Sequence, residues 1–391
     1  IERFVIDIPQ DVLDDLAVRL ADTRWPDEIP GTGWDYGTDL SYLRELVEYW
    51  RTEYDWRAQE RALNELEHFR AIVGGLGVHF IHERGKGPDP FPLVISHGWP
   101  GSVVEMLRII PMLTDPASHG GDPADSFDVV VPSLPGYGFS DKPVDRGMSN
   151  RRIAGMWHTL MTEGLGYARF GAQGGDWGGM ISSRLGFDFP QSVAGVHLNL
   201  MTGVPAFRGA PDPPLTEAEQ EFVRQARRWF EDEGGYFHIQ RTKPQTLGSR
   251  STTRRWDWPR GSSKSFAHGR TAAGNPENSY TRDELLTNIM VYWVGQSGAS
   301  SVRHYYENRV DNWRFQPGER VEVPCAVALF PVEINRPPRE WAERTHNVQR
   351  WTKMPRGGHF AAMEQPELLS EDVRAFFRTI RQHRSSQGAR S

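Results

Sequence analysis

The chain has 391 residues, a formal net charge of −6, 38% hydrophobic residues and 25% charged residues. These values are typical of a globular fold with a sizeable core, and they lack the basic excess of a nucleic-acid-binding protein. The single cysteine, Cys325, excludes an intrachain disulfide. We find no secretory signal and no apolar run long enough to cross a bilayer, so we expect a cytoplasmic protein that binds neither membrane nor nucleic acid.

The first 90 residues are predicted to form helices and turns, because apolar residues recur at helical spacing over residues 9–24 and again over 40–69. From residue 91 the pattern changes to short β-rich runs that alternate with helical stretches. The first four predicted strands are Phe91–Ser96, Phe127–Pro132, 168–173 and 193–200. This alternation indicates an α/β fold, with a mostly parallel sheet and helices on both faces.

The alternation stops between residues 205 and 316, where 217–232 and Arg282–Val294 are predicted helices. We interpret this stretch as a helical lid. Predicted strands at 325–330 and 348–352 and a last helix from Pro366 then complete the core. The predicted organisation is an N-terminal segment (1–90), a first core part (91–204), the lid (205–316) and a second core part (317–391).

A glycine-rich pentapeptide, Gly174-Gly175-Asp176-Trp177-Gly178, lies between a predicted strand and a predicted helix. This is the G-x-nucleophile-x-G arrangement, in which a sharp turn projects the central side chain above the sheet. An aspartate here would attack a saturated carbon and form an alkyl ester, which water must then hydrolyse. On the pentapeptide alone, an acidic N-cap in a tight turn is an equally good interpretation.

Residues 97–102 (His-Gly-Trp-Pro-Gly-Ser) follow the first predicted core strand and could form an oxyanion hole. Pro100 has no N–H group, so Trp99 is the expected backbone donor from this loop. The second expected donor is the N–H of Trp177, the residue after the nucleophile. We predict a structural role for His97.

His359 follows the last predicted strand and is the candidate general base. The order nucleophile, acid, histidine along the chain is that of α/β-hydrolases. Glu333 is the first carboxylate after the strand at 325–330 and is the expected orienting acid. Glu340 is interpreted as a solvated helix charge, and the alternative acid position carries Asn199. The histidines and the cysteine show no metal-site spacing, and the chemistry requires no cofactor.

Several motifs together resemble the microsomal-type epoxide hydrolase family, including its bacterial and fungal members. The motifs are Trp25-Pro26, His68-Phe69, residues 97–102, residues 133–140 (Ser-Leu-Pro-Gly-Tyr-Gly-Phe-Ser), residues 173–179 and Gly357-Gly358-His359-Phe360. The resemblance covers most of the chain. It implies an α/β-hydrolase fold with an N-terminal meander and a helical lid, and the conversion of a small epoxide and water to a vicinal diol.

The resemblance also assigns two lid tyrosines, whose hydroxyls bind the epoxide oxygen and act as the acid in ring opening. The matching segments are residues 235–240 and 301–308, which place these roles on Tyr236 and Tyr305. Tyr306 is the alternative register for the second. Without the resemblance, these tyrosines would be interpreted as aromatic residues that only pack against their neighbours.

Residues 249–271 are rich in arginine and serine and lack a helical period, where the family has an amphipathic lid helix. Synonymous codons read out of frame yield a run that resembles that helix. We therefore hypothesise two compensating frameshifts in the gene or in its sequencing. Resequencing independent clones tests this, and a natural reading frame with a folded lid here would contradict it.

Three alternatives remain at this stage. A haloalkane dehalogenase shares the aspartate nucleophile and would release halide rather than form a diol. A catalytically silent scaffold would not be labelled covalently at Asp176, whereas an esterase or peptidase of this fold would need a serine there. The 14 tryptophans suit aryl epoxides, and we expect a role in detoxification or aromatic hydrocarbon catabolism, with a homodimer as the assembly to test.

Overall fold

The backbone is built around a nine-stranded sheet, seen in a computed structural model that describes residues 1–201, 213–253 and 275–388. In chain order the strands are β1 (Glu2–Arg3), β2 (His68–Val73), β3 (Leu76–Glu83), β4 (Phe91–Ser96), β5 (Phe127–Pro132), β6 (Phe170–Gly174), β7 (Val193–Leu198), β8 (Val321–Leu329) and β9 (His346–Lys353). Across the sheet they lie in the order β1-β2-β3-β5-β4-β6-β7-β8-β9.

The sheet is antiparallel at one edge, from β1 to β5, and parallel from β5 through β4 to β9. The predicted α/β architecture is therefore confirmed. In the β4–β6 register Ser96 lies opposite Gly174. Because carboxyl ends of parallel strands meet at one edge of a sheet, the loops that follow β4 and β6 emerge side by side.

Helices cover both faces of the sheet and form the lid. Within the described residues they are α1 (Gln10–Ala21), α2 (Leu40–Thr52), α3 (Trp56–Leu63), α4 (Ile109–Thr114), α5 (Asn150–Thr159), α6 (Asp176–Asp188), α7 (Glu217–Glu233), α8 (Gly235–Thr242), α9 (Pro244–Thr253), α10 (Arg282–Val294), α11 (Gly298–Val310), α12 (Arg339–Glu343), α13 (Ala361–Glu364) and α14 (Pro366–Gly388). No helix in these ranges combines the length and apolarity of a membrane span.

The N-terminal segment departs from its prediction as helices and turns. It contributes strands β1, β2 and β3, and β2 begins at His68, inside the stretch predicted as helix. The hairpin turns at Gly74 and Gly75, with φ of 59° and 81°. Two glycines in this conformation match the right-handed twist of paired strands. That Gly-Gly signal was present in the sequence, and the helical period assigned over residues 40–69 obscured it.

The N-terminal helices pack onto the lid as well as the core. Leu46 and Trp50 of α2 belong to the same buried cluster as Leu286 and Ile289 of α10. α10 is buried on almost every side, so it is held between the N-terminal segment and the core. The helix predicted at 217–232 is also found, as α7. The segment 249–271, interpreted as frameshifted, lies outside the residues whose side chains the structure describes.

Candidate active site

Asp176 lies at the first residue of α6, directly after β6, at the carboxyl edge of the sheet. Its φ is 47°, a left-handed conformation that is uncommon for a residue other than glycine. Such strain persists only where the surrounding structure enforces it, and it concentrates at functional sites. Gly98 lies against this side chain so closely that an added Cβ would sit 2.1 Å from Asp176 Oδ1. The turn therefore presents the carboxylate to the loop at 97–102.

The backbone N–H of Trp99 donates to Asp176 Oδ1 at 2.8 Å. The backbone N–H of Trp177 acts on the same carboxylate. The two predicted oxyanion donors are thus together at Asp176. His97 is buried between Gly98 O, 3.0 Å from its Nδ1, and the Leu134 N–H, which donates to its Nε2 at 3.2 Å. Burial lowers the pKa of His97 to about 4, so it remains neutral and serves to hold the loop.

His359 lies between Asp176 and Glu333 and is 5% exposed. Its Nε2 is 3.3 Å from Asp176 Oδ2, and its Nδ1 is 2.6 Å from Glu333 Oε1. The Ile334 N–H donates to the same Glu333 oxygen at 2.6 Å. Glu340, the rejected acid, is exposed on α12. The three predicted residues Asp176, Glu333 and His359 are therefore in direct contact, in the geometry of a nucleophile, an acid and a base.

The protonation of this group follows from its burial and charges. Burial alone lowers the pKa of His359, but the Glu333 charge and the hydrogen bonds to both carboxylates raise this pKa well above its usual value. Burial alone raises the pKa of Asp176, but contact with His359 and the two backbone N–H groups bring it below its usual value. The free site therefore holds an imidazolium beside an ionised Asp176.

The two predicted tyrosines come from different lid helices, Tyr236 from α8 and Tyr305 from α11. Their rings are 6.3 Å apart at 80°. Tyr236 stacks on Trp99 at 5.6 Å, and Tyr305 meets the Trp177 ring edge-on at 4.8 Å. Burial and the Asp176 charge raise the pKa of Tyr236, and burial raises that of Tyr305. Both hydroxyls therefore keep their protons and can donate hydrogen bonds above Asp176.

One residue beside the site was missed by sequence reasoning. His304 on α11 packs on the Trp177 ring at 4.9 Å, and burial lowers its pKa to about 3. Its Nδ1 contacts the Tyr137 hydroxyl at 3.2 Å and its Nε2 contacts Asn150 Oδ1 at 2.9 Å. This neutral histidine ties the helix that carries Tyr305 to the core. Its hydrogen-bond partners lie more than 150 positions away in the chain, so no local sequence pattern points to this residue.

Within the described ranges, no three His, Cys, Asp or Glu side chains cluster as metal ligands would.

Comparison with known proteins finds relatives that are similar over nearly the whole chain. Residues 1–106 match the family model described as epoxide hydrolase N terminus, and residues 92–253 match the model of the alpha/beta hydrolase fold. A Stigmatella aurantiaca protein named "Putative epoxide hydrolase" is 42% identical over 387 residues, covering 97% of this chain and 86% of that protein. Epoxide hydrolase 1 of Oryctolagus cuniculus is 35% identical over 406 residues, with 96% and 88% covered.

Solved structures agree with these sequence relatives. Juvenile hormone epoxide hydrolase from the silkworm Bombyx mori superposes with a TM-score of 0.82 at 29% identity, covering 97% of this chain and 94% of that one. The epoxide hydrolase of Aspergillus niger superposes with a TM-score of 0.79 at 27% identity, covering 97% and 96%. The similarity thus extends over the meander, the core and the lid together.

Proposed function

Because the chain belongs to the epoxide hydrolase family, we propose that it opens its epoxide through an alkyl ester on Asp176, which water activated by His359 then hydrolyses. The observation that carries this proposal is the position of His359, which bridges Asp176 and Glu333. An ionised carboxylate is a nucleophile toward an epoxide carbon, and a histidine beside it can later serve the ester as a base.

In the first half-reaction, the Tyr236 and Tyr305 hydroxyls donate hydrogen bonds to the epoxide oxygen. A carboxylate oxygen of Asp176 bonds to one ring carbon, and the bond between that carbon and the ring oxygen breaks. The ring oxygen takes a proton and becomes a hydroxyl. Esterification removes the Asp176 charge that had favoured the protonated form of His359, so His359 can release one proton, which balances the one taken up.

In the second half-reaction, neutral His359 takes a proton from water, and the hydroxide adds to the carbonyl carbon of the ester. The N–H groups of Trp99 and Trp177 stabilise the oxyanion. The ester C–O bond breaks and the leaving oxygen takes the proton of the new carboxyl group. The products are a vicinal diol, an ionised Asp176 and a protonated His359, which is the starting state.

A single turnover in ¹⁸O-labelled water tests this sequence of steps. The heavy oxygen should appear first in the peptide that contains Asp176, because water attacks the carbonyl carbon of the ester. Label that appears only in the diol would overturn the ester and favour direct attack of water on the epoxide. Release of halide from haloalkanes without diol formation from epoxides would favour the dehalogenase alternative.

The two hydroxyls should be distinguishable from their neighbours by substitution. Tyr305→Phe is expected to lower the rate constant of alkylation about 100-fold, because it removes one donor to the developing alkoxide. Tyr306→Phe is the matched control, since it removes a neighbouring hydroxyl of the same helix, and it should change that rate constant by less than about 2-fold. Stopped-flow measurement of single turnovers reports this step. An equal loss in both variants would contradict the assignment.

The pH dependence of alkylation follows from the lowered pKa of Asp176. A carboxyl group whose pKa is depressed stays ionised above its usual value and is protonated only below it. We therefore expect the alkylation rate constant to be the same at pH 5 and pH 7. A fall in this rate constant between pH 7 and pH 5, with the fold retained by circular dichroism, would contradict the ionised resting state.

The rings around Asp176 suit apolar and aryl epoxides, such as styrene oxide. Trp99, Trp177, Tyr236 and Tyr305 surround the carboxylate, and Phe237 packs against Tyr305 at 5.3 Å. A cytoplasmic location, a homodimer and a role in detoxification or aromatic hydrocarbon catabolism remain predictions. Fractionation of the native host, size-exclusion chromatography and growth on aromatic substrates test them in turn.

A further inference from the structure

Glu105 is a buried acid close to the site that the reaction described above does not use. It lies in the short helical turn Val103–Met106, directly after the loop at 97–102, and is 6% exposed. The other residues of this turn are apolar and buried. Burial of a carboxyl group in such surroundings costs free energy unless a hydrogen-bond partner compensates for the lost hydration.

The side chain of Glu105 folds back beneath the loop that carries Trp99. A Cβ added at Gly101 would lie 2.2 Å from Glu105 Oε2 and 3.6 Å from Gly98 O, so a side chain at position 101 would displace the Glu105 carboxyl group. A residue of α10 holds this loop in place. Tyr292 donates its hydroxyl to Gly101 O at 2.6 Å. The Glu105 carboxyl group is therefore held at a defined place under the oxyanion donors.

Within the described ranges, no protein group hydrogen bonds to this carboxyl group. The contrast with Glu364 on α13 is direct, since Glu364 Oε1 accepts from the Tyr280 hydroxyl at 2.9 Å and from the Phe360 N–H at 3.0 Å. Buried polar groups in proteins are nearly always satisfied by protein, ordered water or a ligand. Glu364 is a structural acid, whereas Glu105 is available to a small polar molecule.

The charges that act on Glu105 include those of the catalytic group. Burial raises the pKa of Glu105 to about 8, with His359 opposing this and Asp176, Glu333 and Glu364 adding to it. Glu105 acts in turn on the buried hydroxyls of Tyr280 and Tyr292. At neutral pH the side chain is thus an uncharged acid, whose carbonyl oxygen can accept a hydrogen bond.

We propose that Glu105 is a positioning residue that holds the water which hydrolyses the Asp176 ester, accepting a hydrogen bond from it while His359 takes its proton. The inference rests on the proposed ester mechanism. One O–H bond of the water breaks and its proton moves to His359 Nε2, while the oxygen bonds to the ester carbonyl carbon. Glu105 forms and breaks no covalent bond, and it has no part in the first half-reaction.

Two substitutions separate this role from a structural one. Glu105→Gln reproduces the uncharged acid and keeps its carbonyl acceptor, so hydrolysis of the ester at pH 7 should stay within about 3-fold of the wild type. Glu105→Met has similar volume without an acceptor and should slow hydrolysis by about 10- to 100-fold, because a water held by fewer partners is poorly oriented. Alkylation should change by less than about 2-fold in both. In Glu105→Met, kcat and KM should then fall together as the ester accumulates.

The measurement is rapid quenching of single turnovers with styrene oxide, followed by mass spectrometry of the intact protein. Hydrolysis in Glu105→Met at the wild-type rate would overturn the inference while leaving the ester mechanism intact. Absence of any ester in the wild type and in both variants would instead mean that the proposed function has failed. Equal slowing of alkylation and hydrolysis would indicate a structural role and also overturn it.

The pH profile of hydrolysis separates the proposed role from a structural one, because replacing a purely structural side chain would leave that profile unchanged. A carboxyl group with a raised pKa is uncharged below that pKa and ionises as the pH rises through it. In the ester, Asp176 is uncharged and His359 has released its proton, so the raising effect of Asp176 and the larger lowering effect of His359 on the Glu105 pKa are both lost, and ionisation should occur above about pH 8 in the intermediate. The wild-type profile should contain this step and the Glu105→Gln profile should lack it. Identical profiles would contradict the proposal.

Discussion

Asp176→Ala is expected to lower diol formation by roughly 10⁴-fold or more, the scale of loss seen when an enzyme nucleophile is removed. The reason is specific to this site. Glu333 contacts His359 rather than the substrate position, and the tyrosine hydroxyls hold their protons, so neither can replace Asp176 as a nucleophile. The measurement is diol formation from a panel of aryl and alkyl epoxides, with the purified wild type alongside.

Two controls make this result interpretable. Asp176→Asn keeps the shape of the side chain and should lose activity as well, because an amide does not attack an epoxide carbon. Circular dichroism and thermal unfolding of each variant should show a cooperatively folded protein at the assay temperature, which establishes that the loss of activity comes from the chemistry and not from unfolding. Turnover retained by a folded Asp176→Ala would contradict the ester and support direct activation of water by His359.

The sequence was most informative where turn residues bound an apolar run. Phe91–Ser96, Phe127–Pro132 and Arg282–Val294 were predicted with the bounds that the structure has. The N-terminal hairpin was missed because its strands carry charged and polar residues on one side and follow a true helix without a proline between. Pairing with β5 places these strands in the sheet, and that contact is between residues distant in sequence.

The candidate site was predictable in its members and not in its geometry. Chain order pointed to Asp176, Glu333 and His359, but their distances depend on the parallel register of β4, β6 and β8. The tyrosine roles came from family resemblance alone, since a buried lid tyrosine has no sequence feature that separates it from packing. Glu105 gave no signal, because a lone acid in a short segment is usually solvated.

The arrangement of charges links the two half-reactions. A single imidazolium is shared by two carboxylates in the free site, and in the proposed mechanism esterification neutralises one of them. Formation of the ester would therefore remove part of the electrostatic stabilisation of protonated His359. In the proposed mechanism the neutral form of His359 is therefore favoured once the ester has formed, as a result of charge pairing.

His359→Gln should separate the two half-reactions most completely. We expect hydrolysis of the ester to slow by about 10³- to 10⁴-fold, because general-base catalysis and the orientation of water are lost together. Alkylation should continue, so the reaction should give one equivalent of alkylated protein and then stop. Mass spectrometry of the intact protein, followed by digestion, should locate the adduct on the peptide that contains Asp176.

The rate of that alkylation should acquire a pH dependence that the wild type lacks. Without the imidazolium, burial becomes the dominant influence on Asp176 and raises its pKa, so less carboxylate is present at a given pH. Alkylation by His359→Gln should therefore be slow in mild acid and recover as pH rises, whereas wild-type alkylation stays constant. A variant that accumulates no adduct at any pH, while still folded, would show that His359 is needed before the ester forms.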